Sequence, residues 1–186
     1  MAAEPRRKLD YSYILGTPND GKRYELVDGE LFVSPAPSKI HQRISRRLQR
    51  QLEDYFHDRR LGEVFNAPLD VVLTPHDVFE PDLLVVGDPA LTTTRNVEKP
   101  PLLVVEILSP STQKVDRGVK FRRYAELGIR HCWIVDPDIQ RLECFRLNAG
   151  AYQLVIEGEG DAKLTHPDRD SLVIDLAALW LQSPFS

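Results

Sequence analysis

"PPLLVVEILSPST", residues 100–112, reads as a buried strand that stops at a Pro-Ser turn. Leu102, Leu103, Val104 and Val105 precede Glu106, and Ile107 and Leu108 follow it. A continuous apolar run of this length fits a strand covered on both faces, in the interior of a sheet. Glu106 breaks the run. An ionised carboxylate is costly to bury unless it is paired or holds a cation. The residue is therefore a candidate for chemistry as well as a structural anomaly.

Upstream, "VFEPDLLVVGD" (78–88) is a second apolar strand and "GEVFNAPLDVVLTP" (62–75) a third, with prolines at its ends. "RYELVDGELFVSP" (23–35) reads as a hairpin, because two short apolar runs flank Asp28-Gly29, a strong two-residue turn signal. Between them, residues 39–60 carry Ile40, Ile44, Leu48, Leu52 and Tyr55 or Phe56 at helical spacing, with Ser38 as N-cap and Gly62 as the stop. Arg43, Arg46, Arg47 and Arg50 line another face of that helix. They form either a solvated face or a stripe facing phosphates. Downstream, residues 111–129 form a helix ended by Gly128, and residues 130–147 a hairpin turning at Asp136 to Gln140. "AYQLVIEG" (151–158) adds a strand, and "SLVIDLAALW" (171–180) a closing segment. Asp10 to Leu15 reads as a short helical or capping segment. The expected architecture is α/β (α+β), a mixed sheet flanked by helices.

The chain has 186 residues, 42% hydrophobic and 28% charged. One domain spanning 1–186 is expected, with residues 1–10 loosely ordered. A net charge of -4 disfavours coating nucleic acid by charge alone. It leaves room for a local basic face beside an acidic metal centre. No run of about 18 uncharged apolar residues predicts a membrane span. The opening "MAAEPRRKLDYSYIL" lacks an apolar segment behind its basic residues, so the expected location is the cytoplasm. Cys132 and Cys144 are the two cysteines, and no CxxC occurs, so a cysteine-based zinc site is not supported. They sit symmetrically about residue 138 of the hairpin and face each other in a simple register. Reduced thiols are expected, with a disulfide as the alternative.

Three features converge on one chemistry. Pro81-Asp82 opens the 82–86 apolar run, and Glu106 lies deep in the next one. If the strands are neighbours, the two carboxylates approach and repel unless a cation intervenes. Mg²⁺ or Mn²⁺ suits such oxygen ligands and can activate water at a phosphodiester. Lys120, with Asp116 one turn before it and Tyr124 one turn after, can orient the water or stabilise negative charge. Asp116 and Lys120 also fit a simple surface helix pair. Ser109 and Ser111 lack a strained nucleophile elbow and a His base, and read as turn and cap residues. Asp136-Pro137 reads as a turn, and Trp133 as core.

"YELVDGEL", "SPAPSKIHQ", the Pro81-Asp82 step, "VVEILSPST", the Asp116-Lys120-Tyr124-Gly128 spacing and "WIVDP" together resemble the Uma-type family. That family groups bacterial proteins of restriction-endonuclease-like fold, assigned as endonucleases of the PD-(D/E)XK superfamily. The resemblance covers roughly Tyr24 to Leu147. It implies a metal-dependent endonuclease acting on DNA, with Asp82 and Glu106 as metal ligands and the Ile107 carbonyl as a third. The superfamily pattern places a lysine two residues after the acid, where this chain has Leu108. Lys120 is then the expected catalytic lysine, with Gln113 and Lys114 as second choices. Glu30, or Glu25 in its place, and His41 are expected to support the site. Having lost the usual lysine, the chain also fits a non-catalytic module of the same fold that binds DNA or a protein partner. A hydrolase acting on another phosphoester is a third reading. A homodimer is expected from the need to cut two strands, with the apolar "LVIDLAALWL" (172–181) as the candidate surface.

Overall fold

The computed structural model describes residues 7–88 and 92–181. Asp28 and Gly29 take φ values of 51° and 80°, as a type I′ turn demands. Strands β1 (Arg23–Val27) and β2 (Glu30–Ser34) pair antiparallel across them. A short helix α1 (Tyr11–Leu15), capped by Asp10, precedes the hairpin. Residues 1–6 lie outside the described residues. The expected loose N-terminus does not extend to residue 9, since Leu9 donates its backbone N–H to the Gly29 carbonyl at 3.0 Å.

Helix α2 (Lys39–Phe56) starts at Ser38, whose Oγ accepts the His41 N–H. Ile44, Leu48, Leu52, Tyr55 and Phe56 are buried along it. Ile40 is exposed, and the helix ends at Phe56 with the chain turning through 57–62.

Two of the expected strands are each broken by a proline, which cannot donate to a ladder. Pro68 separates β3 (Glu63–Asn66) from β4 (Asp70–Thr74), and Pro81 separates β5 (Asp77–Phe79) from β6 (Leu83–Val86). The broken halves enter different sheets. After β7 (Asn96–Val97) and β8 (Leu103–Ile107) comes a helix in three parts: α3 (Gln113–Val115), a π-helical turn (Asp116–Lys120) and α4 (Phe121–Glu126). The remaining elements are β9 (His131–Asp136), β10 (Arg141–Asn148), β11 (Ala151–Glu159), β12 (Lys163–Thr165), β13 (Val173–Asp175) and α5 (Leu176–Trp180).

The central sheet has six strands in the order β11-β10-β9-β8-β6-β3. Only β8 and β9 pair parallel within it. A separate five-stranded sheet has the order β2-β1-β5-β4-β7, and β12 pairs with β13. Side chains alternate faces along a strand. Leu103, Val105 and Ile107 therefore join Leu83 and Val85 against α2, while Val104 and Leu108 join Leu84 and Val86 on the other face. That other face packs against Val27, Val71 and Phe79 of the five-stranded sheet and against Tyr124 of α4. The mixed sheet flanked by helices is the architecture expected; the second sheet is an addition to it.

Two expectations are corrected. In the β9-β10 hairpin Cys132 pairs with Phe145 and Cys144 with Trp133. The actual register is one step off the symmetric one, so the cysteines point to opposite faces and both are free. The 172–181 segment is not an apolar surface: Leu172, Ile174, Leu176 and Leu179 are buried against α2 and the central sheet. Val173 and Leu181 stay exposed.

Candidate active site

Glu106 shares parity with Val104 and Leu108, so its side chain lies on the face that carries Tyr124. β6 and β8 are antiparallel neighbours with Leu83 opposite Val105. One further step in that register places Asp82 opposite Glu106, the juxtaposition in which facing side chains stand closest. Asp82 Oδ2 accepts the Ile107 backbone N–H at 2.7 Å. Both acids line one cleft of about 360 Å³, together with Glu25, Asp116, Lys120, Arg23 and His41.

Lys120 points inward. It is 2% exposed, and its Nζ lies 2.8 Å from Glu106 Oε1, 2.8 Å from Glu25 Oε1 and 3.4 Å from Asp116 Oδ1. The surface-pair reading of Asp116 and Lys120 fails, because the π turn carries both into the interior. Such turns recur at functional sites. Tyr124, one turn on, donates its hydroxyl to Glu106 Oε1 at 2.5 Å.

Asp82 is held from the other side. His41, in the first turn of α2, places Nε2 2.9 Å from Asp82 Oδ2. Arg23, on β1, bonds Asp82 Oδ1 and reaches Glu80 Oε1 at 2.9 Å. Glu25, two residues along the same face of β1, accepts the Glu80 backbone N–H at 2.9 Å.

The electrostatics follow from this packing. Burial pushes Glu106 well above the carboxylate range; Lys120 opposes that, while Asp116, Asp82 and Glu25 reinforce it. Burial raises Asp116 as well. For Asp82 burial is outweighed by the His41 hydrogen bond and by Arg23, and its pKa is lowered. Burial works against the Lys120 charge, but Glu106 and Glu25 outweigh it and keep the amine protonated. Burial lifts Glu80 to about 7.

A divalent metal fits this donor set. Glu25, Asp82, Glu106 and Asp116 offer only hard oxygen ligands, as Mg²⁺ and Mn²⁺ prefer.

The structure brings Asp82, Glu106, Lys120, His41 and Ile107 to one cleft and leaves Glu30 outside it. Glu30 stands directly after the turn, paired with Val27 and exposed, where it cannot reach the site. Glu25 is the hairpin acid that reaches in. Gln113 and Lys114 are exposed on α3. His41, expected to support the site, bonds Asp82. Arg23 and Glu80 were missed. The one signal for Arg23 was its spacing from Glu25, two charged residues at i and i+2 on one face of an apolar hairpin. Among the arginines of α2, Arg47 bonds the Leu179 and Leu181 carbonyls at 3.0 and 2.5 Å. Arg46 instead lines a neighbouring groove of about 660 Å³ that shares Arg23, His41 and Asp82 with the cleft.

Comparisons with known proteins bear on the family and the fold. The model of the Uma2 family, described as "Putative restriction endonuclease", matches residues 10–176. Uncharacterized protein slr1290 of Synechocystis sp. (strain ATCC 27184 / PCC 6803 / Kazusa) is 33% identical over 114 residues. The match covers 61% of this chain and 60% of the length of that relative. The crystal structure of a putative nuclease belonging to DUF820 from Anabaena variabilis ATCC 29413 superposes with a TM-score of 0.72 at 20% identity. It covers 92% of this chain and 97% of that one, and shows a shared fold.

Proposed function

The chain belongs to the Uma2 family of putative restriction endonucleases, and on that premise we propose that it is a metal-dependent endonuclease hydrolysing phosphodiester bonds of DNA. The observation that carries this is the inward Lys120, bonded to Glu106 in a cleft that also holds Asp82. It supplies the cation that Leu108 leaves missing from the strand.

In this reading Asp82, Glu106 and the Ile107 carbonyl hold Mg²⁺ or Mn²⁺. The metal supplies Lewis acidity and a lowered pKa for bound water. The Lys120 ammonium orients the nucleophilic water and stabilises negative charge developing on the phosphate. Tyr124 fixes Glu106 through its 2.5 Å hydrogen bond, and His41 fixes Asp82. Glu25 and Asp116 hold Lys120 in place. The groove beside the cleft, with Lys22, Arg23 and Arg46 on its walls, is the track for the DNA backbone. Lys22 and Arg46 add positive charge to a groove that also holds Glu80 and Asp82. No helix among the described residues is long and apolar enough to cross a membrane. The chain acts as one domain, and cutting both strands calls on two copies.

The second reading is a binding module of the same fold. Leu108 favours it, since the strand lacks the usual lysine. Calorimetric titration with Mn²⁺ separates the two. The nuclease reading expects binding that weakens at least tenfold in Asp82→Asn and Glu106→Gln. A folded wild-type chain that takes up no Mn²⁺ at millimolar concentration supports the module.

A further inference from the structure

On the face of the central sheet opposite Glu106, two histidines are buried with ring nitrogens left unpaired among the described residues. His131 opens β9 and shares parity with Trp133 and Val135, which face α2. His166 lies in the 166–172 loop that joins β12 to β13 and is 4% exposed; His131 is 3% exposed. The Trp133 ring stacks on His166 at 5.4 Å, and the two imidazoles meet edge to face at 5.6 Å. His131 Nδ1 and Nε2, His166 Nε2 and Asp168 Oδ2 have no hydrogen-bond partner among the described residues. Buried polar atoms are almost always paired, and each orphan is destabilising. One orphan is an oversight of packing; orphans on three residues that each bring a ligand atom within 4.8 Å of the others call for a common partner.

We propose that His131, His166 and Asp168 form a second metal site that takes Zn²⁺ and clamps the 166–172 loop onto the start of β9. One ligand atom from each residue lies within 4.8 Å of the others. The edges of a zinc tetrahedron are about 3.3 Å for bonds of about 2.0–2.1 Å, so the loop closes by roughly an ångström on binding. Two imidazoles and one carboxylate select a transition metal over Mg²⁺ or Ca²⁺. The void touching both histidines measures about 10 Å³, near the room of a single water. Coordination through His166 Nε2 requires the ring proton on Nδ1. The contact given up is the long 3.2 Å bond that Nδ1 accepts from the Asp168 amide. Arg146 keeps its 2.5 Å contact to Asp168 Oδ1, which leaves Oδ2 to the metal and orients it. The site is independent of the nuclease cleft, on the other face of the sheet.

Zinc competition against a chromogenic chelator tests this on the full chain, stripped of metal beforehand. The expected result is one zinc per chain for wild type and for Glu106→Gln, with at least tenfold weaker binding in His166→Asn and Asp168→Asn. Zinc is also expected to raise the melting midpoint of wild type and of Glu106→Gln but not that of Asp168→Asn. Asp168, partly exposed in a loop, is the variant chosen to fold if the histidine change does not. Binding that survives Asp168→Asn in a folded chain overturns the site. So does binding lost in Glu106→Gln, which would put the metal in the cleft, or no zinc uptake by wild type.

Discussion

Leu108 and Lys120 are one problem at the scale of the residue. Leu108 has the same parity as Glu106, lines the same cleft and is 5% exposed. A lysine there would leave the strand toward the point that Lys120 reaches from the helix. Lys120→Met is expected to slow cleavage by roughly 10²–10⁴-fold. It also removes the ammonium bonded to both Glu25 and Glu106, costing about 3–5 kcal/mol of stability, so folding is checked by circular dichroism in Mg²⁺. Adding Leu108→Lys to that variant is expected to recover part of the rate. A Lys120→Met chain that cleaves at the wild-type rate removes the lysine from the mechanism.

The helix after β8 acts as an element through its π turn and one strut. A regular helix turns about 100° per residue, so positions 116, 120 and 124 drift by about 40° per step. The wider turn offsets that drift and keeps Asp116, Lys120 and Tyr124 on one buried side. Gly118, within the turn, has nothing within 4 Å of an added Cβ and no positive φ. Gly118→Ala is expected to stabilise by about 0.5 kcal/mol with cleavage unchanged. A fall in the melting temperature would show that the turn needs glycine. The strut is Arg123, which donates to both oxygens of the fully buried Asp77 at 2.8 and 2.7 Å and so fixes α4. Burial pushes Asp77 up, but Arg123, Thr74 and the Asp28 amide outweigh it and hold its pKa below the ordinary value. A carboxyl depressed in the folded state contributes stability above its unfolded value of 3.8 and loses it as pH falls through the folded one. Asp77→Asn is therefore expected to lose about 2 kcal/mol near pH 7, measured by urea unfolding. The gap to wild type closes below about pH 4; a gap unchanged there would mean that the ion pair is not its source.

For the whole molecule, the sequence showed the mixed sheet and the meeting of Asp82, Glu106 and Lys120 in one cleft better than it showed the second sheet. Glu106 was legible because one charge in an apolar strand has few innocent explanations, and Lys120 because Leu108 made a lysine necessary elsewhere. The second sheet was not legible, since Pro68 and Pro81 each divide what reads as one continuous strand. The cysteine register turned on a single step in a hairpin turn. The His131, His166 and Asp168 cluster left no trace, because its first member is far from the others in sequence and only the β12-β13 loop unites them. The C-terminal segment read as a dimer surface because its apolar residues were counted without their partners. Leu164, Leu172, Ile174, Leu176 and Leu179 are buried, each contributing about 1.5–3 kcal/mol, together comparable to a domain's whole net stability. Truncation after Glu159 is expected to give an unfolded chain by circular dichroism, whereas a folded monomer would restore the dimer-arm reading. The account rests finally on what the intact chain does to DNA. Supercoiled plasmid incubated with wild type in Mg²⁺ is predicted to be nicked, with no cleavage in chelator and a loss of at least a hundredfold in Glu106→Gln. Equal cleavage by wild type and Glu106→Gln, or cleavage indifferent to chelator, would contradict it.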